Sequence, residues 1–540
     1  MSNVDPLRSR RFLLVEDFEA MRSVLKGLLL RCGAQRVDTA NDGRDAISLL
    51  RNTAYDVVMC DYNLGPGKNG QQLLEESRMN GWIGPASVWL MITAEKTSDM
   101  VSVAAEDAPD DYLLKPITEG LLQTRLLKLV DRKASLAGIA SAMKAHDWRL
   151  ALQLCNEQLA DGTKSVSEVL RLQSQLYQKL GDWPKARALY EAVLQRGQVA
   201  WARLGLAQVH LHLNDVPAAR TMLVDTVRDH PQYLEAYDCL ANLLAAQGQH
   251  KQELSVLERA ATISPNSATR QAALGTAAMK QGQRDAAARA FARSMKLAEH
   301  SAVENVDPFL GMARLHSEAG APAEAQKVLA DLTKRHDSPK AQVLAKAETV
   351  RALQAAGDHA GATRLAGELV AAAQDDANPL PSETAMRIAE TLIESNQVEG
   401  ATHLLQYVTR NNHDDEALVR RAQQAFDSAG IGSAGSEVLA AARRQATDSM
   451  TEGVRLMGQG DLAGALDSMR AAKAAMPRNA RVLLNFVAIA ATCLERQGRS
   501  AALEAEARAT LATAQALRPG DTRAADLLGR LTKIAAGVSG

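Results

Sequence analysis

Hydrophobic and polar positions divide the chain into two regions with different periods. In the first, short and nearly continuous apolar runs recur: Arg11-Phe12-Leu13-Leu14-Val15, Asp56-Val57-Val58-Met59-Cys60-Asp61, Ser87-Val88-Trp89-Leu90-Met91-Ile92 and Asp111-Tyr112-Leu113-Leu114. Such runs suit parallel strands buried on both faces. Between them Phe18 to Cys32, Arg44 to Asn52, Gln71 to Asn80 and Ser98 to Glu106 carry helical spacing. A last helix starts at Thr118, whose hydroxyl can cap it, with Glu119 at its positive end. Its apolar positions Leu121, Leu122, Leu126, Leu127 and Val130 leave two faces to bury: one covers the sheet, the other joins Tyr112 in an exposed surface. Alternating strands and helices predict an α/β doubly wound, flavodoxin-like domain over 1–132. No Pro or Gly intervenes between Asp131 and Gly138, so the last helix can run on as a stiff connection.

Beyond it the strand pattern disappears and a repeat replaces it. Pro231 and Pro265 stand 34 residues apart, and a shift of 34 carries Leu240-Ala241 onto Leu206-Ala207 and Leu274-Gly275, and Gly248 onto Gly282. The same shift carries Leu257 onto Leu223 and Phe291. Gly181, Asn214, Gly248 and Gly282 fall where the turn between paired helices needs a left-handed residue. The pattern resembles the tetratricopeptide repeat, whose helix pairs bury their apolar faces only by stacking. It is clearest over 166–299. Weaker copies around Trp183-Pro184, Gly320, Gly357 and Gly460 extend it, with interruptions at Asn378 to Pro381 and Gly430 to Gly435. The expectation is an all-α superhelical solenoid over 133–540, of about nine or ten helix pairs.

The chemistry lies at the strand ends. Glu16-Asp17, Asp61, Thr93 and Lys115 each follow an apolar run, and ligands of open α/β sheets bind outside the carboxyl ends of strands. Crowded carboxylates repel and call for a hard divalent cation, while a lysine can spread the charge of a transferring phosphoryl group. Asp17 to Asp61 spans 44 residues, Thr93 to Lys115 spans 22, and Tyr112 stands three before Lys115. In these residues and spacings the first quarter of the chain resembles the receiver domain of two-component response regulators, the chemotaxis regulator above all. The resemblance implies that Asp61 is the phosphoacceptor, that Glu16 and Asp17 bind Mg2+ with Asp61, and that Asn63 contributes its backbone carbonyl. It implies that Thr93 and Lys115 contact the phosphoryl oxygens and that Tyr112 turns inward as Thr93 is drawn to the phosphate. It also implies a cis Lys115-Pro116 bond and fast loss of phosphate, tuned by Asn63 and Glu95. The loop from Tyr62 to Gly70 is one residue longer than the commonest spacing.

Composition narrows the output. Residues 1–130 hold 15 Lys and Arg against 18 Asp and Glu, and the rest holds 47 against 45, so neither region is the basic footprint of a nucleic-acid binder. Five scattered cysteines suit a reducing compartment without zinc. No stretch is long and apolar enough to span a membrane, and Met1 to Asp5 lacks an apolar signal region, so a cytoplasmic location is expected. The repeats carry no nucleophile, converging acids or Gly-rich phosphate loop, and the output is read as binding and not as enzymatic. Trp201, Glu235, Asp238 and Asn242 fall on first helices, where they would line the groove toward a protein partner. The expected partners are a sensor histidine kinase or phosphotransfer protein, an unidentified protein on the repeats, and a second receiver in a homodimer. The competing reading is a constitutive scaffold with a vestigial receiver.

Overall fold

Alternate residues of each apolar strand sort to opposite faces of a single parallel sheet. Phe12, Leu14, Val57, Met59, Val88, Leu90 and Ile92 meet one layer of helices, while Leu13, Val15, Val58, Cys60, Trp89 and Met91 meet the other. The computed structural model describes residues 6–65, 67–84, 86–94, 109–163, 165–299, 304–373, 380–498, 500–518 and 521–536. Its first elements are β1 (Arg11–Val15), α1 (Glu19–Arg31), β2 (Arg36–Ala40), α2 (Gly43–Asn52), β3 (Val57–Asp61), α3 (Gly70–Met79), β4 (Val88–Thr93), β5 (Asp111–Leu114) and α4 (Glu119–Ser135). The strand order β2-β1-β3-β4-β5, all parallel, is that of the flavodoxin-like sheet. Its switch point lies between β1 and β3, the two strands that lead into Glu16-Asp17 and Asp61.

The sequence pattern did not disclose β2, an edge strand in which only Ala40 is buried. Helix α1 and α4 cover one face, with Leu25, Leu29, Leu122, Leu126 and Val130 in its core; Leu121 stays 40 % exposed, as the pattern anticipated. Thr118 caps α4 through Leu121 N, and Lys115-Pro116 is cis. The helix expected over Ser98 to Glu106 lies outside the described residues.

Two compact units divide the chain, Met1–Pro308 and Phe309–Gly540. In the first, α4 ends at Ser135, a single residue breaks the helix, and Ala137–Lys144 begins. The end of α4 is tied to the next pairs: the Gln158 amide donates to the Ser135 carbonyl, Ser135 Oγ lies 3.4 Å from Ser165 Oγ, and Arg132 lies 3.7 Å from Glu168. Antiparallel helix pairs follow, such as Ala200–His212 with Val216–Asp229 and Leu234–Ala246 with His250–Ile263. Gly181, Asn214, Gly248 and Gly282 all adopt positive φ, between 61° and 71°.

The second unit continues with helix pairs from Pro322–Arg335 to Ala501–Leu517. Its longest element, Gly432–Gly458, runs straight through most of the stretch expected to be irregular. Glycine is needed at Gly435 because a neighbour leaves no room: a Cβ there would fall 2.3 Å from Phe426 Cγ and 2.4 Å from its Cβ.

The same constraint sets the helix crossings of the first unit. A Cβ on Gly205 would sit 2.2 Å from Tyr190 Cζ, and that ring is buried with its hydroxyl accepting from Gln178 Nε2 at 2.8 Å. Overpacking a held ring typically costs about 1–3 kcal/mol. Gly205→Ala is therefore expected to destabilise the helical region by that order, read by circular dichroism as a lower urea midpoint. An unchanged midpoint would show that the Tyr190 ring yields.

Candidate functional site

The carboxyl edge of the sheet gathers the charged groups. Glu16 follows β1 and is 1 % exposed, Asp61 ends β3 at 7 %, and Thr93 ends β4 at 3 %. Lys115 follows β5, its backbone N–H donating to Thr93 O at 2.8 Å, so the ends of β4 and β5 are fastened together. Its ammonium donates to Asp61 Oδ2 at 2.7 Å and to Glu16 Oε2 at 2.9 Å. Burying two carboxylates side by side is costly unless a cation is shared, and Lys115 supplies it. Burial is the main reason the Glu16 carboxyl sits above the ordinary range, against the pull of Lys115. Burial alone would lower the Lys115 ammonium, yet its bonds to Asp61 and Glu16 outweigh that and hold it above the usual lysine value.

Glu16, Asp17 and Asp61 each place a carboxylate oxygen within 4.8 Å of the others. Three carboxylates against one ammonium leave an excess of negative charge with oxygen donors only, the set a hard divalent cation such as Mg2+ takes. Asp17 is exposed, so this cluster opens to solvent on one side. Asn63 stands in the exposed loop just beyond Asp61. Tyr112 is half-buried against the core on the α2 and α3 face, opposite the face α4 covers, and burial pushes its hydroxyl up to about 12. Glu95 lies outside the described residues.

Two supports were not foreseen. Arg22 Nη1 donates to the Glu16 carbonyl at 2.7 Å, which fixes the turn that carries both Glu16 and Asp17. Gly70 lies flat on the Asp61 backbone: a Cβ there would fall 2.2 Å from Asp61 O and 2.9 Å from Met91 Sδ. The longer loop gave no sign of this contact, because a steric approach to a carbonyl leaves no mark on hydrophobic period.

The four groove candidates are distributed differently. Trp201 is half-buried, edge-to-face on Tyr190 at 6.0 Å. Asp238 is held by both ends of the Arg270 guanidinium at 2.8 and 2.9 Å. Asn242 is exposed. Glu235 is half-buried, its carboxylate oxygens shielded from water and without a hydrogen-bond partner among the described residues. Burial pushes its carboxyl up to about 7, although Arg171 and Arg270 oppose the shift.

Comparison with known proteins places these features. The response regulator receiver domain matches residues 12–127, and the tetratricopeptide repeat matches residues 177–243. Chemotaxis protein CheY-3 of Vibrio cholerae is 34 % identical over 125 residues, 23 % of this chain and 95 % of that protein. Chemotaxis protein CheY of Pseudomonas aeruginosa is 33 % identical over 122 residues, 23 % of this chain and 97 % of that protein. Among solved structures, Vibrio cholerae CheY4 crystallised at low pH is 24 % identical, the match covering 22 % of this chain and 98 % of that one, with a TM-score of 0.21.

Glu235 generates a pH dependence whose sign is fixed. Its carboxyl is raised from 4.5 to about 7 in the folded chain, so the folded state holds the proton more tightly and loses stability as pH rises through 7. Glu235→Gln stays neutral and removes that loss. At pH 8 it is expected to be more stable than the native chain by about 1–2 kcal/mol, less than the full shift implies because the site keeps some solvent contact. At pH 4, below both values, the two should unfold at nearly the same urea concentration; equal midpoints at pH 8 as well would contradict the account.

Proposed function

Because the chain belongs to the response regulator receiver family and carries tetratricopeptide repeats behind that domain, we propose that it is a phosphorelay response regulator with a protein-binding output. In this reading residues 1–132 receive a phosphoryl group on Asp61, and 133–540 present helix pairs to a protein partner. The observation that carries it is the Lys115 ammonium held between Asp61 and Glu16 with the Asp17 carboxylate beside them.

The step is an in-line displacement. An Asp61 carboxylate oxygen attacks phosphorus in a phosphohistidine of the kinase or phosphotransfer protein, and an O–P bond forms. The donor N–P bond breaks, its electron pair goes to the imidazole nitrogen, and that nitrogen takes a proton from solvent. Mg2+, held by Glu16, Asp17, Asp61 and the Asn63 carbonyl, would supply charge neutralisation to the phosphoryl oxygens. Lys115 stays within reach of the same oxygens, and Thr93, at the adjoining strand end, offers its hydroxyl. Withdrawal of Thr93 toward the phosphoryl group frees the space into which Tyr112 turns, and that rearrangement biases the surface around β5 and α4. Leu114 and Leu121, 37 % and 40 % exposed, give that surface an apolar patch suited to a second receiver or to another protein.

On the repeats, Trp201 and Asn242 remain groove candidates, with Glu235 and the Arg270-paired Asp238 supplying acidic character. Among the described residues no helix is long and apolar enough to cross a membrane.

Incubation with a small phosphodonor and Mg2+ is expected to add one phosphoryl group to the native chain and none to Asp61→Ala. The variant should keep its helix content, since Lys115 retains Glu16 as a partner. Chelation of Mg2+ should stop incorporation. Phosphate on the Asp61→Ala chain would sink the assignment, and a native chain that never accepts phosphate would leave the constitutive scaffold as the better reading.

A further inference from the structure

The receiver is held by the repeats at a second place, far along the chain from its last helix. Gln72 Nε2 donates to the carbonyl of Leu297 at 2.9 Å, across 225 residues. Leu297 ends the helix Arg284–Leu297, and its carbonyl is among the last four of that helix, which have no partner within it. The same Gln72 side chain works inward as well. Its Oε1 accepts from Asn69 N at 3.0 Å while Gln72 N donates to Asn69 Oδ1 at 2.9 Å, a reciprocal cap that fixes the first turn of α3.

That first turn is in direct contact with the candidate site. Gly70 N donates to Tyr62 O at 2.8 Å and Tyr62 N donates to Ile92 O at 2.9 Å, so the loop from 62 to 70 is pinned at both ends to the strands that carry Asp61 and Thr93. Gly70 has no clearance over the Asp61 carbonyl, and Gly65 brings the loop against Asp17, where a Cβ would fall 3.1 Å from Oδ2. A displacement of the loop at Asp61 or Asp17 therefore moves Asn69 and Gln72 with it.

We infer that Gln72 and the Leu297 carbonyl form a latch that couples loading of Asp61 to the Arg284–Leu297 helix pair. The latch rests on the proposed phosphorylation of Asp61, and it adds a path that does not pass through Tyr112 or α4. Its sign follows from geometry. A bond already at 2.9 Å is near its optimum, so in the proposed latch a displacement of the α3 turn away from Leu297 weakens it, and loading releases it. Reciprocity then requires that breaking the latch change the affinity of the site for its ligands by the same factor that loading weakens the latch.

Gln72→Glu separates the two roles of this side chain. A glutamate oxygen still accepts from Asn69 N, and an acid at that position suits the start of a helix, so α3 stays capped. The amide donor is lost, and an oxygen faces an oxygen at Leu297. Hydrogen exchange of the full chain is read at amides 294–298, with and without Mg2+ and beryllium fluoride, alongside incorporation from a small phosphodonor. In the native chain loading should speed exchange there by about three- to tenfold, the net worth of one hydrogen bond. Gln72→Glu should exchange that fast before loading and respond no further. Unchanged exchange at 294–298 in Gln72→Glu overturns the contact without any phosphoryl chemistry. Phosphate on Asp61 with no change at 294–298 in the native chain overturns the coupling and leaves the functional reading standing, whereas absent incorporation overturns that reading and the latch with it.

Discussion

Glu16 and Asp61 are two carboxylates buried side by side, and the ammonium of Lys115 between them is what makes their burial tolerable. At such distances an unshielded pair of like charges repels by several kcal/mol even at the effective dielectric of a partly solvated site. The chain meets this by bringing three strand ends to one point, which demands parallel strands of matched length and the switch in strand order between β1 and β3. The backbone bond from Lys115 to Thr93 O and the grip of Arg22 on the Glu16 carbonyl then remove the freedom by which the cluster could relax apart. Asp17, left at the open side, raises the negative charge beyond what one ammonium balances. The site is therefore stable as a folded edge yet electrostatically incomplete, which is the condition under which a divalent cation and an anionic oxygen bind together.

In the helical region the constraint is steric. Each helix pair has an apolar face it cannot bury alone, so stability grows pair by pair and depends on how closely neighbours approach. Gly205 under Tyr190 and Gly275 under Phe291 mark crossings where even a methyl group has no room. Polar pairs one repeat apart then knit the first helices, as Arg270 does with Asp238, and in the second unit Arg351 is buried between Glu348 and Glu394 at 2.9 and 2.6 Å. A buried guanidinium of this kind is costly to strand, so it fixes which helices are neighbours more than it adds to net stability.

These two kinds of constraint explain what could be read from sequence. Strands β1, β3 and β4 were legible because burial on both faces leaves an unbroken apolar run, and β5, at one edge, because Tyr112-Leu113-Leu114 is still apolar, whereas β2, solvated at the other edge, carries no such run. Glu16, Asp17, Asp61, Thr93 and Lys115 were legible as a group because each polar residue terminates a run. The 34-residue shift was legible where every turn keeps one length, and it faded where the 27-residue helix Gly432–Gly458 serves neighbours on both sides. What stayed hidden acts through space between distant residues: Gly70 against a carbonyl, Arg22 reaching back to Glu16, and Arg270 engaging an Asp238 that sequence alone assigned to the groove. A single side chain's partner does not alter a periodicity.

The hidden contacts are also the ones that make the receiver part of a larger body. A receiver joined to its repeats only through α4 would be positioned by one helix end, and the single-residue break at Leu136 is a place where that end can bend. A second attachment at Gln72 converts the hinge into a closed loop of structure running from α4 through the helix pairs and back to α3. In such a loop small displacements near Asp61 cannot be absorbed by rotation at one joint. They are transmitted to the other attachment or they break it, because packed helices shift between discrete arrangements and do not deform smoothly. The second attachment lies on the turn that leaves Asp61 and not on the surface of β5 and α4, so in the proposed latch the two surfaces are engaged separately.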